Sequence, residues 1–264
     1  MMSLAAAIEG IGVLGPGLDS WLSTAAVLAG TREYEPARTI LPAPAGLPGA
    51  ERRRAGRVIK LALAVGAEAI AQAGRPAQSL RSVFASSGGD GDNCHEICTA
   101  LTQMERSISP TRFHNSVHNA AAGYWSIANG CMEASVTLCA YDASFAAGLL
   151  EALSQVAQSR SPVLLVAYDS DYPPPLQLHR RIPEAFGLSL LLAPADSPRA
   201  LATLRAGLSP QPPSQLTHAA LEALRLSVPA ARGLPLLERL ARGGPGAVAL
   251  EYLDSSSLAV EIGA

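Results

Sequence analysis

The chain has 264 residues, of which 48% are hydrophobic and 16% charged, and its formal net charge is −2. A chain of this length buries roughly 70–75% of its unfolded surface, and its apolar content is well above that of disordered segments, so a globular fold is expected. The near-neutral balance offers no electrostatic footprint for nucleic acid. No run approaches the ~20 apolar residues of a spanning helix, so membrane insertion is not expected either.

The four cysteines are Cys94, Cys98, Cys131 and Cys139. They contain no C-x-x-C pair and do not amount to a disulfide scaffold. The N-terminal stretch has no basic lead and reaches Glu9 before any long apolar run, which argues against a signal peptide. A reduced, cytoplasmic setting is the expectation.

In chain order, a first strand is predicted over Ala5–Val13, broken at Gly15-Pro16-Gly17 and followed by a helix near Leu18–Ala29. Residues 31–51 are rich in Pro, Ala and Gly and read as a loop. Arg54–Ala73 is helical by periodicity, with Val58, Leu61, Ala62, Val65 and Ala69 on one face and Gly74 placed to cap it. Ser82–Ser87 reads as a short strand, His95–Met104 as a helix, and Asn119–Asn129 as a helix closed by Gly130. Ser135–Cys139 is a strand, Ser144–Ser159 a helix and Val163–Ala167 a wholly apolar strand. Leu188–Leu192 and Ala200–Ala206 read as a strand pair. Helices near Leu216–Ser227 and Leu234–Arg242 precede strands Ala247–Leu253 and Ser257–Ile262. The alternation predicts a layered α/β fold with a mostly buried mixed sheet.

The densest chemical signal runs from Ser135 to Ala152, Ser-Val-Thr-Leu-Cys-Ala-Tyr-Asp-Ala-Ser-Phe-Ala-Ala-Gly-Leu-Leu-Glu-Ala. A buried strand turns sharply into an Ala-rich helix, an arrangement that can hold a nucleophile at the positive end of a helix. Ahead of it, Ile108–Gly130 supplies a Pro-containing loop, Asn119, Gly123 and Gly130, spaced onward to the turn without gaps. Together these segments resemble the active-site elbow of β-ketoacyl synthases, with Asp142 at the nucleophile position. The helix carrying Arg57, Lys60, Leu61 and Ala62 resembles the family's early helix. The resemblance spans roughly residues 1–195. In narrower form it is to the short β-ketoacyl synthase-like N-terminal domain proteins, the chain length factors of aryl polyene and type II polyketide pathways.

That resemblance implies a thiolase-like fold, N-terminal half only, with residues 196–264 as a short C-terminal extension of a single domain. It implies a non-catalytic subunit that pairs with a full-length β-ketoacyl synthase, shapes its acyl tunnel and meets an acyl carrier protein. A ketosynthase needs a thiolate and two C-terminal histidines. Here Cys139 is three residues too early, and His218, the only histidine after residue 195, fits neither histidine motif. No catalytic residue, cofactor or metal is expected. The resemblance makes Phe113, His114, Val117, His118, Trp125, Cys139, Asp142 and Phe145 candidates for the tunnel or interface. Asp142 has three readings: a cap on the following helix, which is preferred, a partner contact, or an acid–base carboxylate.

His114 and His118 would share a face if helical, but Pro110 and Asn115-Ser116 disfavour that, and no third metal ligand is evident. His118 bonded inside the fold and His114 partly exposed is the preferred reading. Arg52, Arg53, Arg54, Arg57 and Lys60 concentrate charge at the start of the predicted helix, the unfavourable end for cations. They read as a solvated face or as a docking patch for an acidic carrier protein. Ser86-Ser-Gly-Gly-Asp-Gly-Asp92 lacks the spacing of a phosphate loop. Two alternatives remain: a thioester hydrolase or acyltransferase using Asp142 with His114 or His118, and a homodimeric scaffold that binds carrier protein.

Overall fold

The computed structural model describes residues 3–263. Its elements in order are β1 (Leu4–Leu14), α1 (Trp21–Leu28), α2 (Gly49–Arg54), α3 (Arg57–Ala73), β2 (Arg81–Ala85), α4 (Gly91–Thr102), α5 (Pro110–His114), α6 (Ala120–Asn129), β3 (Ser135–Leu138), α7 (Ser144–Ser159), β4 (Val163–Asp169), α8 (Pro174–Gln177), β5 (Phe186–Ala193), β6 (Ala202–Ser209), α9 (Ala219–Ser227), α10 (Leu234–Arg242), β7 (Gly246–Leu253) and β8 (Ser256–Gly263). Single 3₁₀ turns cover Tyr141–Ala143 and Pro229–Gly233. No described helix is long and apolar enough to cross a membrane.

All eight strands form one sheet, in the order β3-β2-β4-β5-β1-β6-β8-β7. β3, β2 and β4 run parallel and the remaining pairings are antiparallel. The expected pairing of the strands around Leu188–Leu192 and Ala200–Ala206 does not occur. β1 lies between them, bonded to β5 along one edge and to β6 along the other. Hydrophobic pattern identifies a strand but not its neighbour, and β1 can fill both positions because its apolar residues leave neither edge to solvent.

The wholly apolar β4 is explained by cover on both faces. Val163, Leu165 and Ala167 join one core with α7 and the 229–233 turn, while Leu164, Val166 and Tyr168 join the other with α3 and α6. Alternate side chains of a strand point to opposite faces, so both must be greasy when both are covered. Residues 196–264 extend this same sheet by three strands, with α10 packed against α1 and β7. They build no second sheet layer.

One boundary changes the electrostatics. The predicted helix Arg54–Ala73 begins only at Arg57, and Gly49–Arg54, overlapping the end of the predicted loop, is a separate short helix that breaks at Ala55-Gly56. Arg52, Arg53 and Arg54 therefore occupy the last turn of α2 rather than the first turn of α3. That is the end where cations interact favourably with the helix dipole.

Candidate functional site: the closed elbow

At the end of β3 the chain bends through Cys139 and Ala140 into the 3₁₀ turn, with Tyr141 in the left-handed region at φ 53°. Ser144 fixes the bend: its Oγ accepts from the Ala140 N–H at 3.0 Å and donates to the Tyr141 carbonyl at 2.7 Å. Asp142 does not cap the following helix, whose first turn has no side-chain cap. One of its oxygens instead accepts from Arg180 Nη2 at 2.6 Å and the other from Arg232 Nη2 at 3.1 Å. The capping expectation fails because two arginines from distant sequence outbid the local N–H groups, charged donors making hydrogen bonds about twice as strong as neutral ones.

The pairing continues outward. The Arg180 guanidinium lies 3.5 Å from the centre of the Tyr141 ring, a cation–π contact. Arg232 also pairs with Glu251 of β7, Glu251 lies 3.8 Å from Arg225, and Arg225 grips Glu222 through two bonds of 2.8 and 2.7 Å. Burial pulls the Arg232 guanidinium below its ordinary pKa, opposed by the Asp142 carboxylate. The elbow is thus fastened to the C-terminal extension.

A second carboxylate fastens the same extension from beneath. Asp169, at the end of β4, is fully buried. It accepts from the Ser87 N–H and Oγ at 2.9 and 2.7 Å, from Ser86 Oγ at 3.3 Å and from the Ala230 N–H at 2.9 Å. No cation faces it, and burial outweighs these bonds, pushing its pKa up to about 6. The turn it holds, Pro229–Gly233, is buried throughout, and a Cβ on Gly233 would lie 2.5 Å from Leu188 and 2.9 Å from the Phe145 ring. This buried turn packs against the elbow, and a groove of about 1010 Å³ runs between Ala140–Ala143 and residues 210–213 and 251–257.

The other candidates separate into two groups. Phe113 and Val117 are exposed, whereas Trp125 and Phe145 are core residues. Trp125 is only 2% exposed and packs on α3 where Gly66 makes room; a Cβ there would lie 2.7 Å from the indole. It therefore cannot project into a partner's pocket. Cys139 is exposed, and its thiol donates to the Ser87 carbonyl at 3.1 Å. His118 Nε2 lies 3.2 Å from the Ser86 carbonyl, and His114 is exposed with its ring edge-on to Tyr124. Neither imidazole meets Asp142, both of whose oxygens are taken by arginine, so the carboxylate–imidazole pair required for a hydrolase is not assembled. Among the described residues no group of three His, Cys, Asp or Glu side chains converges as a metal site.

The basic cluster is largely spent on local structure. Arg52 bonds the carbonyls of Ala45 and Leu47, Arg54 pairs with Glu51, and Arg57 holds Asp171 through two bonds of 3.1 and 2.8 Å. Lys60 lines a cavity beneath residues 40–46. Arg180, Arg232, Asp169 and Ser87 carry the site but were not among the sequence candidates. Asp169 carries no local signal, since a carboxylate at a strand end is ordinarily exposed and its burial here depends on Ala230 from far along the chain. Nothing local marks Arg180.

β3 is the outermost strand of the sheet. It is half-exposed and uncharged, and Met132, Val136 and Tyr141 around it are solvent-exposed. Ile127, Val117, Phe113, Met104 and Leu101 are also exposed, and α4 buries only Gly91 and Asn93. The model of the β-ketoacyl synthase N-terminal domain matches residues 24–234. The chain belongs to this family.

Solved structures place its fold among ketosynthase assemblies. The complex of the ketosynthase ApeO with its chain length factor ApeC from Xenorhabdus doucetiae superposes with a TM-score of 0.74 at 22% identity, covering 98% of this chain and 99% of the matched one. The ishigamide ketosynthase/chain length factor gives 0.72 at 13% identity, with 98% and 99% covered. AntDE:AntF, a type II polyketide synthase acyl carrier protein with its ketosynthase bound to the hexaketide, gives 0.76 at 10% identity, with both chains covered completely. A search of curated proteins found no match. The fold is the N-terminal half of the thiolase-like ketosynthase architecture, as the sequence implied.

Proposed function

We propose that this chain is a non-catalytic, chain-length-factor-like subunit that pairs through β3 with a full-length β-ketoacyl synthase of an aryl polyene or polyketide pathway. The observation that carries the reading is the open β3 edge. An unpaired strand presents a row of free N–H and C=O groups, and stable proteins blunt such edges unless a partner completes them. Here the edge is uncharged and flanked along the chain by exposed Met132 and Tyr141.

Absence of catalysis is supported by the elbow. A ketosynthase forms a thioester on a cysteine, whereas Asp142 is a carboxylate already held by two guanidinium groups, with the buried turn Pro229–Gly233 packed against the elbow. Phe113 in α5 and Val117 just after it are exposed, and they are the side chains that would enter the partner's acyl tunnel. Arg53, exposed in the last turn of α2, is the basic residue left for carrier-protein contact. The setting is cytoplasmic, and residues 196–264 act as part of one domain by closing the elbow.

The test is co-expression with a cognate full-length ketosynthase, followed by size-exclusion chromatography. A one-to-one complex whose product lengthens or shortens in Phe113→Ala supports the reading. A chain that elutes alone as a folded monomer or homodimer overturns it.

A further inference from the structure

A cavity of about 770 Å³ lies on the α3/α6 side of the sheet, roofed by residues 40–46 and sharing no lining residue with the groove at the elbow. That volume falls within the roughly 300–1,000 Å³ typical of small-molecule sites. Leu63, Ala64 and Ala67 of α3, Trp125 and Ala128 of α6 and Val13 of β1 form its apolar walls.

The roof is a built strap. At one end Thr39 Oγ1 donates to the Ala185 carbonyl at 2.7 Å. At the other, Arg52 Nη2 donates to the carbonyls of Ala45 and Leu47 at 3.1 and 2.9 Å. Between these anchors Ile40-Leu-Pro-Ala-Pro-Ala-Gly46 carries no charge, and Ile40 stands 78% exposed at the rim. An anchored apolar strap arched over an apolar helix face leaves a slot for an aliphatic chain.

Charge gives the slot a direction. Lys60, the only lysine of the chain, lines one part of it near the start of α3. Among the described residues no carboxylate pairs with it. Glu68 lies eight residues further along α3, about 12 Å at the helical rise. It is already committed, accepting from the N–H groups of Val13 at 2.8 Å and Trp21 at 2.6 Å. Asp19 lines the cavity too, two residues before Trp21. A free cation thus lies toward one end and negative charge toward the other. The indole N–H of Trp125, in the wall, is buried with no acceptor among the described residues.

We propose that this cavity binds a medium-chain carboxylate amphiphile, its head at the Lys60 ammonium and its tail along Leu63, Ala64 and Ala67. The acidic end disfavours the reversed orientation. The site needs no ketosynthase partner, so it can be tested on the free chain.

The experiment is titration calorimetry of the full chain with decanoate, decan-1-ol and decylammonium, each below its micellar concentration. Decanoate should bind at one saturable site, about tenfold tighter than decylammonium, the size expected of one partly buried ion pair. Lys60→Gln should erase that preference while retaining decan-1-ol binding. Ala67→Phe, at an exposed helical position facing the slot, should abolish all three, and Ala64→Leu serves if that variant melts early. No saturable binding by the wild-type chain, equal affinity for decanoate and decylammonium, or binding unchanged in the filled variants would overturn the proposal.

Discussion

The sheet has two edges, and they are treated in opposite ways. At β7, Ser214 donates its N–H to the Ala249 carbonyl at 2.8 Å and accepts the Ala249 N–H on its Oγ at 3.0 Å. The segment Pro210-Gln-Pro-Pro213 carries that serine alongside the strand, and Ser257 Oγ pins Gln211 by its carbonyl at 2.7 Å. At β3 nothing comparable is present among the described residues. Ser82 and Ser86 donate to the carbonyls of Ala134 and Leu138, so by the alternation of a parallel ladder Ser135 and Thr137 turn their backbone groups outward. One edge is guarded by its own loop, and the other is open among the described residues.

The sharpest way to break this comparison is Thr137→Pro. Proline is tolerated on an edge strand where the lost N–H faces solvent, so the free chain should melt as before. Affinity for the ketosynthase should fall about a thousandfold, about 4 kcal/mol. Retained affinity measured by surface plasmon resonance would show that β3 is not the seam.

The fastening of the extension can be read through pH. Because the folded chain raises the Asp169 pKa from 3.8 to about 6, the native state holds that proton longer than the unfolded state does. Its contribution to stability is greatest below about pH 4 and declines as pH climbs through 6, by about 3 kcal/mol in total. Asp169→Asn should flatten this decline in urea titrations run from pH 4 to 8. A variant keeping the wild-type slope would assign the titration to another group.

Smaller effects sharpen the picture. Arg232→Leu leaves Asp142 with Arg180 alone and Glu251 with only its 3.8 Å neighbour Arg225. It should cost about 2 kcal/mol in chemical denaturation, less than a wholly buried pair because both carboxylates keep a partner and some water. Ser214→Ala should cost about 1 kcal/mol by removing one acceptor at the guarded edge, lowering Tm by about 2–4 °C. It should leave ketosynthase binding untouched, and any loss of binding would mean that the two edges are not independent.

What could be read from the sequence follows from range. The periodic face of α3, the all-apolar β4 and the turn into α7 are local patterns, and each element was placed within a few residues. The insertion of β1 between β5 and β6 was not visible, because the eight residues 194–201 between those strands look equally suited to a hairpin. The Asp142 cap failed for a similar reason: Arg180 and Arg232 lie 38 and 90 residues away. The resemblance makes Trp125 a tunnel or interface candidate, but the decisive residue is Gly66 on another helix, whose missing side chain gives the indole a place inside.

β8 joins β6 on one side and β7 on the other, and those two strands are not hydrogen-bonded neighbours. It is synthesised after both. Until Ser256–Gly263 has emerged from the ribosome, β7 has no strand to lean on, Glu251 has no fixed position from which to meet Arg232, and Ser214 has no strand to guard. The strands of the parallel trio β3-β2-β4 all lie before residue 170. In order of synthesis, the residues of the β3 edge therefore emerge before those of the β7 edge.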